Sequence, residues 1–125
     1  MSTIAEQEAW VAELRRSRGE EHPDTLAAML DLAELLWKEG RVGAARPLEE
    51  QVVAARLRLC GEKHPDTLKA MGNLAAILWQ IGERDEAYWL QQQVVDTCRR
   101  VQGDADPATR AAVAAFEIMQ RDAGF

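Results

Sequence analysis

The stretch GEEHPDTL at residues 19–26 returns almost unchanged as GEKHPDTL at residues 61–68. The two copies are 42 residues apart, and the similarity extends well beyond them, because residues 22–63 and residues 64–105 are identical at 19 of 42 aligned positions. Self-similarity at a fixed period of this length indicates a solenoid, in which each repeat is one supersecondary unit that stacks on the next.

Partial copies flank the two full ones. The segment DPATR at residues 106–110 repeats the proline and the threonine of HPDTL at the same spacing, so a third copy begins there. Residues 4–18 precede the first HPDTL as the second half of a truncated repeat would. We therefore expect a single domain over residues 1–125, whose parts are a truncated helix at 4–18, repeats at 22–63 and 64–105, and a capping helix at 106–122.

Each repeat has helical periodicity. Leu26, Met29, Leu32 and Leu36 recur at three- and four-residue steps, as an amphipathic helix requires, and Gly40 offers the left-handed cap that ends such a helix. A second periodic segment follows, and no strand pattern is found. The prediction is an all-α fold, a short right-handed superhelix of antiparallel helices. The six predicted helices lie near residues 4–17, 24–39, 43–59, 66–81, 85–101 and 107–122.

Composition narrows the class of protein. The chain is 47% hydrophobic and 29% charged, which is typical of a folded domain, and its net charge of −6 disfavours nucleic acid and anionic membranes as partners. It has no run of apolar residues long enough to span a membrane and no signal-peptide pattern. Its two cysteines lack metal-ligand spacing. We expect a cytoplasmic protein with reduced thiols and without a cofactor or a metal.

The HPD tripeptide is the one candidate for site chemistry that the repeat contains. His22 and Asp24 could in principle form a catalytic or metal-binding pair, and HPD also occurs in J-domain co-chaperones. The third copy, however, has Asp106 and Ala108 at these places and keeps its proline and threonine. Residues that vary in this way are better explained by helix starts, where proline fits the first turn and acidic or polar side chains satisfy free N–H groups. We therefore predict no enzyme.

The placement of small residues and glycines within the repeat resembles that of a known family. LAELLWKEGRVGAARPL at residues 32–48 and LAAILWQIGERDEAYWL at residues 74–90 look like the tetratricopeptide repeat. The 42-residue period and the HPDTL opening resemble its kinesin light chain-like form. The resemblance implies a protein-interaction scaffold, an adaptor whose first helices line a concave groove that holds a peptide or a helix of another protein.

Carrying the groove over by position gives the expected binding residues. At one of these places, Asn73, family members use an asparagine amide to hold an extended peptide, whereas the first repeat has Asp31, which suggests a cationic or donor-rich ligand. The predicted partner-binding residues are Leu30, Asp31, Glu34, Trp37, Lys38, Lys69, Asn73, Ala76, Trp79, Gln80 and Arg121.

Several alternatives remain open at this stage. Trp37 and Trp79 could form an aromatic platform for a ligand or could pack between repeats. Asp31 and Glu34 share a helix face that is either simply solvated or part of an acidic groove. Trp10 is expected to anchor the first helix on the core. A solenoid this short also leaves apolar ends, so homo-oligomerisation by stacking is the alternative to partner binding.

Overall fold

The computed structural model describes residues 3–123, and these form six α-helices joined by short turns. Every helix boundary lies within one residue of its predicted position, which confirms the all-α prediction. The ends of the expected domain, residues 1–2 and 124–125, lie outside the described residues. The helices are α1 (Ile4–Arg18), α2 (Pro23–Lys38), α3 (Val42–Cys60), α4 (Pro65–Ile81), α5 (Arg84–Gln102) and α6 (Pro107–Asp122).

The HPD segments start helices, as the sequence predicts. His22 and His64 are the N-caps of α2 and α4, and each accepts a hydrogen bond at Nδ1 from the backbone N–H two residues later, at 3.1 Å. Asp106 caps α6 in the same way through Oδ1, at 2.8 Å. A proline follows each cap at the first helical position, where its missing N–H costs no hydrogen bond.

The threonine of each copy forms a hydrogen bond between the start of one helix and the end of the helix before it. Thr25, Thr67 and Thr109 are all essentially buried. Their hydroxyls donate to carbonyls at the end of the preceding helix: Thr25 to Gly19 at 2.8 Å, Thr67 to Arg56 at 3.2 Å, and Thr109 to Cys98 at 3.3 Å. The carbonyls of Arg56 and Cys98 also accept from the backbone N–H groups of Gly61 and Gly103, each at 3.2 Å. A buried hydroxyl needs a hydrogen-bond partner, and the three carbonyls provide one. This explains why threonine is retained when histidine is not.

The turn inside each repeat is a glycine-terminated cap. At the end of α4, Gly82 has φ +103° and donates to the carbonyl of Trp79, while Glu83 donates to the carbonyl of Leu78 at 2.9 Å. This is the Schellman arrangement, which needs a left-handed residue and therefore favours glycine. It reverses the chain so tightly that α5 lies against α4.

The core runs along the solenoid between consecutive helices, each of which packs against its neighbours in the chain. Leu26, Met29, Ile77 and Leu78 are its largest buried apolar side chains. A repeat alone could not bury this stripe, so stacking is what makes the fold stable. Val53 and Trp79 are partly buried and pack against this core.

The prediction that Trp10 anchors α1 on the core is wrong. Trp10 is 53% exposed, whereas Val52 and Val94, which hold the equivalent positions in α3 and α5, are buried. The physical reason is the place of α1 in the stack. Val52 and Val94 lie between helices on two sides, but α1 has α2 as its only substantial neighbour among the described helices, so its other face is bare.

Candidate functional site

The first helices of the repeats, α2, α4 and α6, lie side by side and leave two adjoining cavities along one surface. The first cavity, of 780 Å³, lies between α2 and α4, and Glu49 of α3 contributes to its lining. The second, of 510 Å³, lies between α4 and α6, with Gln91 of α5 in the equivalent place. Lys69 and Asn73 border both, so the two cavities form one groove.

The groove brings together eight of the eleven residues predicted from the sequence. Seven line the first cavity: Leu30, Asp31, Glu34, Trp37, Lys38, Lys69 and Asn73. Ala76 lines the second. The other three, Trp79, Gln80 and Arg121, line neither cavity.

The two equivalent tryptophans have different surroundings. The Trp37 indole N–H donates to Oε1 of Gln80, one repeat away, at 2.9 Å, so Trp37 both lines the first cavity and ties α2 to α4. The guanidinium of Arg84 lies 4.3 Å from the ring centroid of Trp79, a cation–π arrangement. Trp37 therefore lies where it could contact a ligand and also bonds to the neighbouring repeat. One face of the Trp79 ring, by contrast, is covered by the Arg84 side chain.

The first cavity has an uneven charge distribution. Lys38 pairs with Glu34 at 3.2 Å on the exposed surface of α2. Asp31 and Lys69 are exposed on opposite walls, and neither has an ion pair within residues 3–123. A bound segment would therefore meet an unpaired acidic group on the α2 wall and an unpaired basic group on the α4 wall.

A buried acid lies at the bottom of the first cavity, at a position where the other repeats have an amide. Gln7, Glu49 and Gln91 are spaced by 42 residues and are all buried. The Gln7 amide donates to the carbonyl of Ala28 at 3.1 Å, and the Gln91 amide donates to the carbonyl of Ala112 at 2.9 Å. An ionised carboxylate cannot donate in this way. Oε2 of Glu49 is buried and has no hydrogen-bond partner among the described residues.

This environment changes the acidity of Glu49. Burial raises the pKa of its carboxyl from 4.5 to about 7, and a hydrogen bond from the Asn73 side chain offsets that shift only in part. Burial disfavours the charged form because the carboxylate loses its hydration. Glu49 is only 3% exposed, yet it belongs to the lining of an open cavity.

The second cavity is more apolar, and small residues such as Gly72, Ala76 and Ala115 line it. Its deep wall includes the Cys98 thiol, whose pKa is raised by burial and, to a smaller extent, by the negative charge of Asp106. Such a thiol is a poor nucleophile, since reactivity belongs to the thiolate. Cys98 therefore contributes packing here.

Sequence reasoning missed Glu49, Gln91 and Cys98, because the expected groove was drawn from the first helices alone. The sequence did contain a signal for Glu49. At three equivalent positions, 42 residues apart and all buried, the side chains are Gln7, Glu49 and Gln91, so the middle one is an acid where the others are amides. The described residues hold no cluster of three or more histidine, cysteine or acidic side chains suited to a metal ion. In the same part of the chain, no helix is long and apolar enough to cross a membrane.

Comparisons with known proteins agree with this architecture. Crystal structures of the kinesin light chain TPR-like repeats of Podosopora anserina, including one of a single-substitution variant, superpose with a TM-score of 0.89 at 28% identity. They match 97% of this chain, which spans 57% of theirs. BtubC (BKLC) from P. vanneervenii superposes with a TM-score of 0.85 at 15% identity, over 97% of this chain and 48% of its own. No curated protein matches the sequence.

The family model of the tetratricopeptide repeat matches this chain twice, at residues 25–66 and 67–108. Each match begins at the threonine of HPDTL and has the 42-residue length of the sequence repeat. Together the two matches cover more than half of the chain. With its helix pairs, its glycine turns and its groove of first helices, the chain belongs to the tetratricopeptide repeat family, in the kinesin light chain-like form.

Proposed function

We propose that this protein is a non-catalytic adaptor that holds a peptide or helical segment of another protein in the groove of α2, α4 and α6. The observation that carries the proposal is the continuity of the two cavities across Lys69 and Asn73. A groove of this kind can hold an extended segment or one face of a helix.

The lining suits a polypeptide. Leu30 and Trp37 offer apolar surface, while Asp31 and the Asn73 amide offer hydrogen-bonding groups at intervals along the groove. A few polar groups set in a partly apolar concave surface fix the orientation of a ligand while the apolar surface supplies affinity. The small side chains of the second cavity leave room for a larger side chain of the partner.

Selection of peptides from a random display library on the immobilised protein tests the proposal. Affinities of the enriched peptides are then measured by calorimetry for the wild type and for the double variant Asp31→Ala with Asn73→Ala. We expect the double variant to lose at least about tenfold in affinity, since each change removes a polar contact in the groove.

The control is Trp89→Ala. Trp89 is 60% exposed on α5 and lines neither cavity, so it reports on non-specific adhesion to an exposed aromatic ring. Circular dichroism checks that all variants keep their helicity. Peptides that bind the double variant as well as the wild type, or that depend on Trp89 instead, would show that the groove is not the binding surface.

Self-association remains a second candidate, favoured by the bare face of α1. Among the described helices α1 has α2 as its only substantial neighbour, Trp10 on its other face is 53% exposed, and stacking with a second copy would cover it. Sedimentation equilibrium at micromolar concentration tests this directly. A dimer that Trp10→Ser converts to a monomer would support stacking through α1, and a strict monomer would exclude it as an obligate state.

A further inference from the structure

We propose that the first cavity contains a subsite for a basic side chain of the bound segment, with Glu49 at its base as the counter-ion. This inference rests on the proposed function and specifies its chemistry: one arginine or lysine of the partner enters between α2 and α4. It is carried by one buried acid and by the place of that acid in the groove.

Glu49 does not make the hydrogen bond that the amides at the equivalent positions make, and the Asn73 side chain, which bonds to its carboxyl, only partly offsets the burial of the charge. At the equivalent positions, the Gln7 and Gln91 amides each donate to a carbonyl of the following first helix, which an ionised carboxylate cannot do. Oε2 of Glu49 is buried without a partner in the described part of the chain. A buried charge of this kind is normally compensated by a counter-charge or lost by protonation.

Both helices that pack against α3 bring charged groups to the cavity around Glu49. Glu49 lies on α3, which packs against α2 and α4. From α2 the cavity receives Asp31, Glu34 and Lys38, and from α4 it receives Lys69. Lys38 is already paired with Glu34 at 3.2 Å, so Lys69 is the basic side chain of the lining that has no ion pair within residues 3–123.

The negative charge of the first cavity complements a basic side chain. With Lys38 and Glu34 paired, the acids of the cavity that lack an ion pair within residues 3–123 are Asp31 and Glu49. The exposed Asp31 can accept from an incoming guanidinium or ammonium, and the buried Glu49 supplies a second negative charge from the cavity wall. The cavity is open to solvent and has a volume of 780 Å³, enough for a long basic side chain. The second cavity has Gln91 in place of Glu49 and a mainly apolar lining, so the preference for a basic group belongs to the first cavity alone.

The affinity of the cavity for a basic side chain should depend on pH. Because burial holds the pKa of Glu49 at about 7, part of the protein carries a neutral Glu49 at neutral pH. A basic ligand prefers the ionised form, so its binding releases a proton and lowers that pKa. Affinity then rises with pH until Glu49 is fully ionised.

The test uses a capped pentapeptide with one arginine between alanines, and the same peptide with citrulline, which has the shape of arginine without its charge. Binding to isotope-labelled wild type is followed by NMR at about pH 8 and at about pH 5.5, on either side of the titration. We expect about tenfold or more tighter binding of the arginine peptide at the higher pH, weak binding of the citrulline peptide, and a lowered pKa in the carboxyl resonance of Glu49.

Two matched variants complete the test. Glu49→Gln introduces the amide that the other two copies carry, so it should fold and lose both the affinity for the arginine peptide and its pH dependence. Glu50→Gln removes the same charge one residue away, from an exposed side chain that pairs with Arg46 at 3.5 Å, and should change neither.

Three results would overturn the inference. Equal binding of the arginine peptide to Glu49→Gln would place the basic group on Asp31 or elsewhere. A change in the pKa of Glu49 upon Lys69→Met without any peptide would show that the counter-ion is internal. No binding of either pentapeptide would also reject the subsite. Library peptides without basic residues that still need Asp31 and Asn73 would leave the proposed function standing while removing the subsite.

Discussion

Trp37 of α2 donates its indole N–H to Oε1 of Gln80 in α4, at 2.9 Å, and so connects two repeats at the edge of the groove. The bond gives the polar edge of the Trp37 indole a partner within the protein. Its ring faces the first cavity while its polar edge is held by the neighbouring repeat. A side chain fixed in this way loses little further freedom when a ligand packs on it.

Replacing Trp37 by phenylalanine should therefore weaken the contact between repeats. Because the bond is exposed to solvent, we expect its loss to lower the free energy of unfolding by roughly 0.5 kcal/mol, with a further loss from reduced apolar contact. Urea denaturation of Trp37→Phe, Gln80→Ala and the double variant forms a double-mutant cycle. A coupling energy of about 0.5 kcal/mol or more is expected, and purely additive effects would argue that the bond contributes nothing.

The hydrogen bond of the buried threonine leads to a second prediction about stability. Thr67→Val keeps the shape of the side chain but removes the hydroxyl that donates to the carbonyl of Arg56. The carbonyl of Arg56 keeps the backbone N–H of Gly61 at 3.2 Å, so the change removes one buried hydrogen bond without leaving a group unpaired, and we expect a loss of about 1 kcal/mol in unfolding experiments. Ser17→Ala is the control, since Ser17 makes a comparable bond to a carbonyl on an exposed helix face, where the change should be close to neutral.

The helix starts predict that histidine and aspartate are interchangeable as caps. His64→Ala should cost about 1 kcal/mol, because the N–H of Asp66 loses its acceptor. His64→Asp should restore that stability, since Asp106 caps α6 with the same geometry and a carboxylate favours the positive end of a helix. Thermal unfolding of the two variants checks the order, and an aspartate variant as unstable as the alanine variant would contradict it.

The glycine inside α4 and the glycine that follows its last residue should respond to alanine with opposite signs. Gly82 has φ +103° after the last turn, a conformation that alanine adopts only with strain, so Gly82→Ala should destabilise the protein by about 1 kcal/mol. Gly72 lies inside the helix, and an added Cβ would be 3.9 Å from Oε1 of Gln91, an ordinary contact. Gly72→Ala should stabilise by roughly 0.5–1 kcal/mol while narrowing the second cavity. Chemical denaturation of both variants measures the two signs.

Much of this fold was predictable from the sequence because the information is local and repeated. The HPDTL copies place a proline at the first position of α2 and of α4, and Gly82 ends a helix by a conformation that few other residues adopt. Each of these signals acts within a few residues. For that reason the helix boundaries agree to within one residue.

The base of the groove was harder to predict because it depends on which side chains of the second helices point between the first helices. Glu49 reaches the first cavity from α3, a helix that the family resemblance does not assign to binding. Trp10 shows the same limitation at the other end of the molecule. Its exposure follows from the packing of α1 on one side only within residues 3–123 and not from its own periodicity, which matches that of the buried Val52.

The buried acid makes the stability of the protein depend on pH in a defined direction. The pKa of Glu49 is raised from 4.5 to about 7 on folding, so between these values the folded chain binds more protons at this site than the unfolded chain. The contribution of Glu49 to stability is therefore greatest below about pH 4.5 and is lost as the pH rises through about 7. A shift of this size corresponds to a cost on the order of 3 kcal/mol above that range.

Glu49→Gln removes this dependence because the amide does not titrate. Relative to the wild type, the variant should gain stability steadily from about pH 5 to about pH 8, by up to a few kcal/mol. Urea denaturation of both proteins at several pH values measures the difference directly, and taking the difference cancels the carboxylates that the two chains share. If the two stability curves run parallel over this range, Glu49 is already ionised in the folded state and its charge is compensated from within the protein.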